Sequence, residues 1–176
     1  KEIAVKRWDH ARFAAVADGL AERHHATIAF TGQGPEEQEL ITEARGMMLQ
    51  PGIDLCNRLD IGQFSALLAE ASFVVTNDTS ALHLAGIVGT PVVALFGATS
   101  PLLYGPRGPR DLVFSKQLYC SPCLSNYNLK YSRCHDPVCM KQITADEVLA
   151  GIEARFLTAA ARSGERSIRY AGQPHQ

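Results

Sequence analysis

A run of small polar residues, Asn77-Asp78-Thr79-Ser80, separates the β-branched stretch Phe73-Val74-Val75-Thr76 from an apolar segment that carries His83. This order reads as strand, turn and helix start. With Asp78 or Thr79 as N-cap, the free N–H groups of Thr79, Ser80 and Ala81 point outward. Those donors, together with the positive end of the helix dipole, suit a diphosphate. His83, one turn further on, brings an imidazole within reach of whatever lies above the helix terminus. Ordinary caps and a satisfied structural histidine explain the same residue types, so the residues alone reach an anion site and stop there.

A second group is Cys120, Cys123, Cys134 and Cys139, spaced C-x2-C-x10-C-x4-C. Four thiolates so spaced suit a structural tetrahedral zinc site, with His135 as a spare ligand. The spacing lacks the common iron–sulfur patterns. Reduced thiols in an irregular loop, or one or two disulfides, are the other readings. Cys56, in a predicted strand, reads as an inert buried thiol. Five cysteines are an odd number, which argues against a fully paired secreted framework and for cytosolic thiols or a metal.

The elements that must position these groups alternate along the chain. Asp9 to Arg23 reads as a helix with Phe13, Val16, Ala17 and Leu20 on one face. Ala26 to Phe30 reads as a strand that ends at the turn Thr31-Gly32-Gln33-Gly34-Pro35, and Glu36 to Met48 as a helix. Ile53 to Cys56, Phe73 to Thr76 and Pro91 to Phe96 read as strands; Ile61 to Ala71 and Thr79 to Val88 read as helices, the latter stopped by Gly89. Such alternation predicts an α/β, Rossmann-like, doubly wound parallel sheet, whose ligands gather at the carboxyl ends of the strands after Phe30, Thr76 and Phe96. After Gly97 the sequence turns Gly/Pro-rich and then cysteine-rich. Helix returns over Thr144 to Ala161, where Thr144 and Glu147 have capping-box spacing. The expected layout is one domain over 1–162 with an irregular insert at about 117–141, then a polar tail over 163–176.

Composition excludes several classes. With 176 residues, 46% hydrophobic and 20% charged, the chain suits one ordinary globular domain. A net charge of −1 offers no broad surface for nucleic acid or anionic membrane. No apolar run reaches bilayer length, and Lys1 to Trp8 lacks the apolar core of a secretory signal. With no initiator methionine, the chain reads as a fragment cut from something longer.

Residues 73–101 as a whole resemble the signature of the bacterial lipopolysaccharide heptosyltransferases, glycosyltransferase family 9. Its pattern is close to D-[ST]-G-x-x-H-L-A-A-x-x-G-x-P-x-x-x-x-[FY]-G-x-T-x-P. Here it stands as Asp78-Thr79-Ser80-Ala81-Leu82-His83-Leu84-Ala85-Gly86, then Gly89, Pro91, Phe96-Gly97, Thr99 and Pro101. Lys6-Arg7-Trp8 resembles the family's K-x-W, Thr31 to Glu37 its T-G-G-x-x-[DE] loop, and the cysteine insert its C-x-P-C…C-M-x-x-I. Ser80 departs from the usual glycine, which keeps the N–H but limits how closely phosphate approaches.

The resemblance implies the C-terminal, donor-binding half of a GT-B enzyme that transfers a sugar, typically heptose from ADP-heptose, to lipopolysaccharide core with inversion. It implies that the N–H groups of Thr79, Ser80 and Ala81 hold the diphosphate and that Lys6 neutralises the leaving nucleotide. Glu37 then accepts ribose hydroxyls, Asp78 and His83 face the sugar as catalytic residues, and Thr99 contributes from the second loop. The general base and the acceptor domain are expected from the N-terminal half, and the family's first C-domain strand is expected to lie just ahead of this chain. No Asp-x-Asp motif is present, so no catalytic metal is expected. The implied partners are the nucleotide-sugar and a lipid-linked or glycan acceptor, and the implied location is cytoplasmic, peripheral on the inner face of the inner membrane. Lys116, Lys130, Arg133 and Lys141 are the candidates to face an anionic acceptor, or else form a solvated rim. Two other classes fit less of the pattern: a GT-B sugar-nucleotide epimerase, and a non-enzymatic module whose cysteines bind a metal and a partner.

Overall fold

The computed structural model describes residues 4–128 and 131–157. Lys130, the end of the expected last helix at 158–161 and the polar tail lie outside the described residues.

The hub is β4 (Val92–Phe96), every residue of which is buried. Side chains alternate across a strand, so its two faces feed two cores. Val93 and Leu95 join Trp8, Val16, Leu20, Met140, Ile143, Val148, Leu149, Ile152 and Phe156 on one side. Val92, Ala94 and Phe96 join Leu68, Leu82 and Ala85 on the other. An all-apolar strand therefore requires helices on both sides of the sheet. They are α1 (His10–His24), α6 (Val138–Lys141) and α7 (Ala145–Ile152) on the first face, and α3 (Ile61–Glu70) and α4 (Ser80–Val88) on the second.

Strand β4 pairs in parallel with β3 (Val74–Asn77), Val75 opposite Val93, and with β5 (Leu112–Ser115), Leu95 opposite Phe114. A separate parallel pair joins β1 (Ile28–Phe30) to β2 (Gly52–Asp54), with α2 (Pro35–Met47) between them in sequence. The doubly wound parallel sheet expected from the alternation is thus present in two parts, ordered β1-β2 and β3-β4-β5. Ile28 of β1 and Val75 of β3 pack against the same core, which ties the parts together. Neither β5 nor the short α5 (Pro101–Tyr104) is foreshadowed by the irregular segment after Gly97.

Local chemistry explains the helix ends. Asp9 caps α1 by accepting from Ala11 N, and Asp60 and Gln63 form a reciprocal capping box on α3. Gly89 closes α4 at φ 82°, a left-handed conformation that costs glycine nothing. At α7 only half of the expected box forms. Thr144 Oγ1 accepts from Glu147 N at 3.2 Å, but the Glu147 carboxylate turns to Lys116 Nζ at 2.8 Å.

Trp8 pins the start of the chain to this frame. It is 1% exposed, and its ring meets Phe13 edge to face at 4.9 Å. Its indole N–H donates to Ile143 O at 2.9 Å, and its backbone N–H donates to Asn77 Oδ1 at 3.1 Å. Beside it, Arg12 donates to the carbonyls of Met140, Lys141 and Ile143, satisfying the open end of α6.

The cysteine insert is fastened to the strand exit. Ser121 Oγ donates to Gly97 O, and the N–H groups of Cys123 and Leu124 both donate to Ala98 O, at 2.9 and 2.7 Å. Cys123 and Cys134 pack on the cluster of Val5, Ala98 and Leu124, while Cys139 lies against Gly97. All five cysteines are free thiols. Among the described residues no group of three or more His, Cys, Asp or Glu side chains is arranged to hold a metal ion, so the zinc site expected from Cys120, Cys123, Cys134 and Cys139 finds no support there. Cys123 Sγ lies 3.3 Å from Ser132 Oγ, Cys120 is exposed, and Cys139 is buried.

Two expectations follow. Trp8→Ala should lower the unfolding free energy by about 3–5 kcal/mol in urea titration, whereas Asp60→Ala at an exposed cap should cost only about 1 kcal/mol. Burial pushes the Cys139 and Cys56 thiols upward, helped at Cys139 by the neighbouring cysteines and at Cys56 by Asp54. Fewer thiolates then form near neutral pH, so maleimide should label exposed Cys120 first and those two about tenfold more slowly or less, until urea removes the difference.

Candidate functional site: a polar cavity at the carboxyl edge of the sheet

Three segments meet at the carboxyl end of β3 and β4. The first is a 3-10 turn, Ala4–Lys6, ahead of the buried Trp8. The second is the turn Asn77-Asp78-Thr79 that leads into α4. The third is the loop after Phe96, where a side chain on Gly97 would collide with Met140 Sδ at 2.5 Å and Cys139 Sγ at 2.9 Å. Only a glycine lets the chain pass there, and the next residues swing Thr99 back toward the α4 turn.

Asp78 joins the three. Its Oδ2 accepts from Lys6 Nζ at 3.1 Å and from Thr99 Oγ1 at 2.8 Å. Both side chains of the ion pair are largely withdrawn from water, at 20% exposure for Lys6 and 9% for Asp78. One step along the chain, Arg7 Nη1 donates to Glu36 Oε1 at 2.8 Å, in the first turn of α2. That bond, with the Arg7 charge, holds the Glu36 carboxyl below its ordinary range. Consecutive residues thus link the loop after β1 to the loops after β3 and β4.

Helix α4 begins as a ligand-binding terminus would. Thr79 is the N-cap residue but makes no side-chain cap bond, because its hydroxyl meets Thr76 Oγ1 at 3.1 Å instead. The N–H groups of Ser80 and Ala81 are left without a capping acceptor, at the positive end of the helix dipole. Thr79, one of the two residues expected at the N-cap, holds that position without a side-chain cap bond.

Lys6, Asp78, Thr79, Ser80, His83, Thr99, Tyr104 and Leu124 line a cavity of about 370 Å³. The structure therefore gathers Lys6, Asp78, Thr79, Ser80, His83 and Thr99 from the expected set. Ala81 belongs to the same helix turn but does not line the cavity. Glu37 also stands apart, its Oε2 accepting from Gln33 N at 2.7 Å within the loop after β1. None of the four clustered cysteines lines the cavity. A second groove of about 410 Å³ runs between α4 and Gly105–Asp111 and shares His83. Arg107, Arg110 and Asp111 line it, but it does not reach the open start of α4 or the Lys6–Asp78–Thr99 group, which belong to the smaller cavity.

Tyr104 and Leu124 were not foreseen. Tyr104 sits on α5, in a segment whose Gly/Pro content reads as loop. Leu124 directly follows Cys123, and only the paired bonds to Ala98 O bring it into the wall. The apolar residues within so polar a loop were the signal available.

Known proteins share this fold and parts of this sequence. A 29% identical relative over 151 residues is lipooligosaccharide heptosyltransferase 2 of Campylobacter jejuni, matched over 83% of this chain and 45% of the relative. The crystal structure of a glycosyl transferase family 9 protein from Veillonella parvula superposes with TM-score 0.71 at 27% identity, over 87% of this chain and 42% of that one. The structure of E. coli ADP-heptose lps heptosyltransferase II shares the fold, with TM-score 0.70 at 22% identity over 87% of this chain and 43% of that one. The chain spans about half the length of the curated relatives it matches most fully, 45% in the Campylobacter protein. The model of glycosyltransferase family 9 (heptosyltransferase) matches residues 1–132, and the chain belongs to that family.

Proposed function

We propose that this chain is the donor-binding domain of an inverting glycosyltransferase, one that moves heptose from ADP-heptose to a lipopolysaccharide core or a related glycan. The observation that carries the reading is Lys6, a cation held by Asp78 beside the uncapped start of α4. A diphosphate placed there meets backbone donors, a helix dipole and an ammonium at once. Its charge grows as the sugar leaves, so groups fixed in advance favour departure.

Each residue has a part in this reading. The N–H groups of Thr79, Ser80 and Ala81 receive the phosphate oxygens, and Lys6 neutralises the leaving nucleotide. Glu37 takes the ribose hydroxyls after releasing Gln33. Asp78 keeps Lys6 and Thr99 in place through Oδ2, leaving Oδ1 for a sugar hydroxyl, and His83 faces the sugar from α4. The base that activates the acceptor hydroxyl comes from the other half of the enzyme, as does the acceptor site. Catalysis on the cytoplasmic face, peripheral to the inner membrane, fits a lipid-linked acceptor. Among the described residues no helix is long and apolar enough to cross a membrane. The reading as a metal-binding interaction module has less support, since its ligands are not gathered.

Calorimetric titration of the full-length enzyme with ADP, UDP and GDP tests the proposal. ADP should bind preferentially. Lys6→Ala should weaken ADP by about ten- to a hundredfold, the worth of a charge-assisted contact, and flatten the salt dependence. Undiminished ADP affinity in that variant would remove Lys6 from the site.

A further inference from the structure

The cavity is chemically two-sided. Lys6, Asp78, Thr79, Ser80, His83 and Thr99 supply its polar walls, and Tyr104 and Leu124 supply the apolar ones. Tyr104 is no swinging surface side chain. It packs on the cluster of Leu82, Ala85 and Phe96, and its N–H donates to Ser100 O at 3.1 Å. Its hydroxyl reaches toward Asn126 Oδ1 at 3.4 Å, the outer limit of a hydrogen bond. The ring is therefore held at its base by packing and steadied at its tip by the insert. Leu124, 2% exposed, is equally fixed.

A diphosphate needs none of this apolar surface. A sugar ring does, because it presents hydroxyls around its rim and C–H groups across its face, and an aromatic ring covers such a face well. We infer that Tyr104, backed by Leu124, is the platform for the transferred sugar and sets which sugar the site accepts. The inference rests on the donor-site reading above and names the part of the cavity that reads the glycosyl group. The order of the loops agrees with it. Thr79 and Ser80 follow β3, whereas Thr99 and Tyr104 follow β4, so the platform lies one strand beyond the phosphate donors. A nucleotide held by its phosphates at α4 thus points its sugar toward α5.

The test separates nucleotide from sugar. Full-length enzyme is titrated with ADP and with ADP-glucose, as wild type, Tyr104→Phe, Tyr104→Leu and Tyr104→Ala. Expected for Tyr104→Ala is a loss of about five- to tenfold in ADP-glucose affinity with ADP affinity unchanged. Tyr104→Phe should keep the wild-type ratio and Tyr104→Leu should fall between. Retained ADP binding shows in the same experiment that each variant is folded. If Tyr104→Ala leaves the ADP-glucose to ADP ratio unchanged, or weakens both equally, Tyr104 is not the platform although the donor site stands. If wild type binds neither ligand, the donor-site reading itself fails, and this inference with it.

Discussion

The ion pair between Lys6 and Asp78, shared with Thr99, is the constraint around which the site is arranged. Its three members come from the start of the chain, the β3–α4 turn and the β4–α5 loop. A partly buried pair of this kind adds little net stability, because desolvation cancels most of the attraction. What it fixes is position. Lys6 could not be held by its flexible stem alone, and the structure supplies a second restraint two residues on, where Trp8 is packed and donates to Asn77 and Ile143. Asn77 and Asp78 thus grip the backbone and the side chain of one short segment.

Behind that node stands β4. Both of its faces are covered, so the strand has no freedom to shift without disturbing two cores. The rigidity is passed to the loop after it by the close approach of Met140 and Cys139 to Gly97. A site built on such a frame needs little rearrangement to receive a charged ligand, which is the condition under which fixed dipoles and cations act most strongly.

Much of this was legible in the sequence, for identifiable reasons. Periodicity placed the first four strands and four helices because each carries an apolar pattern of its own. The turn at 77–80 marked a helix start with free N–H groups, because small polar residues there are ordinary N-caps and compatible with an anion. Three features escaped, and none is recorded by a local pattern. Strand β5 is four residues long and lies among glycines and prolines, and it exists through pairing with β4. The sheet divides in two, which no local pattern records. The cysteine spacing fits a tetrahedral site, but spacing does not say how thiols are arranged, and no group of three or more ligating side chains is gathered for a metal among the described residues.

The insert also shows why an irregular segment can matter to a regular fold. It has little secondary structure, and its tyrosines at 119 and 127 are fully exposed. Such a stretch has no apolar face with which to choose its own place. Its place is chosen by Ala98, whose carbonyl accepts from two successive N–H groups, and by Gly97, whose carbonyl accepts from Ser121. Both acceptors lie in the loop that carries Thr99. The backbone that aims a polar residue at Asp78 from one side therefore seats Leu124 on the other. The polar and apolar walls of the cavity are consequently two consequences of one loop geometry, and a change that moves the loop must alter both together.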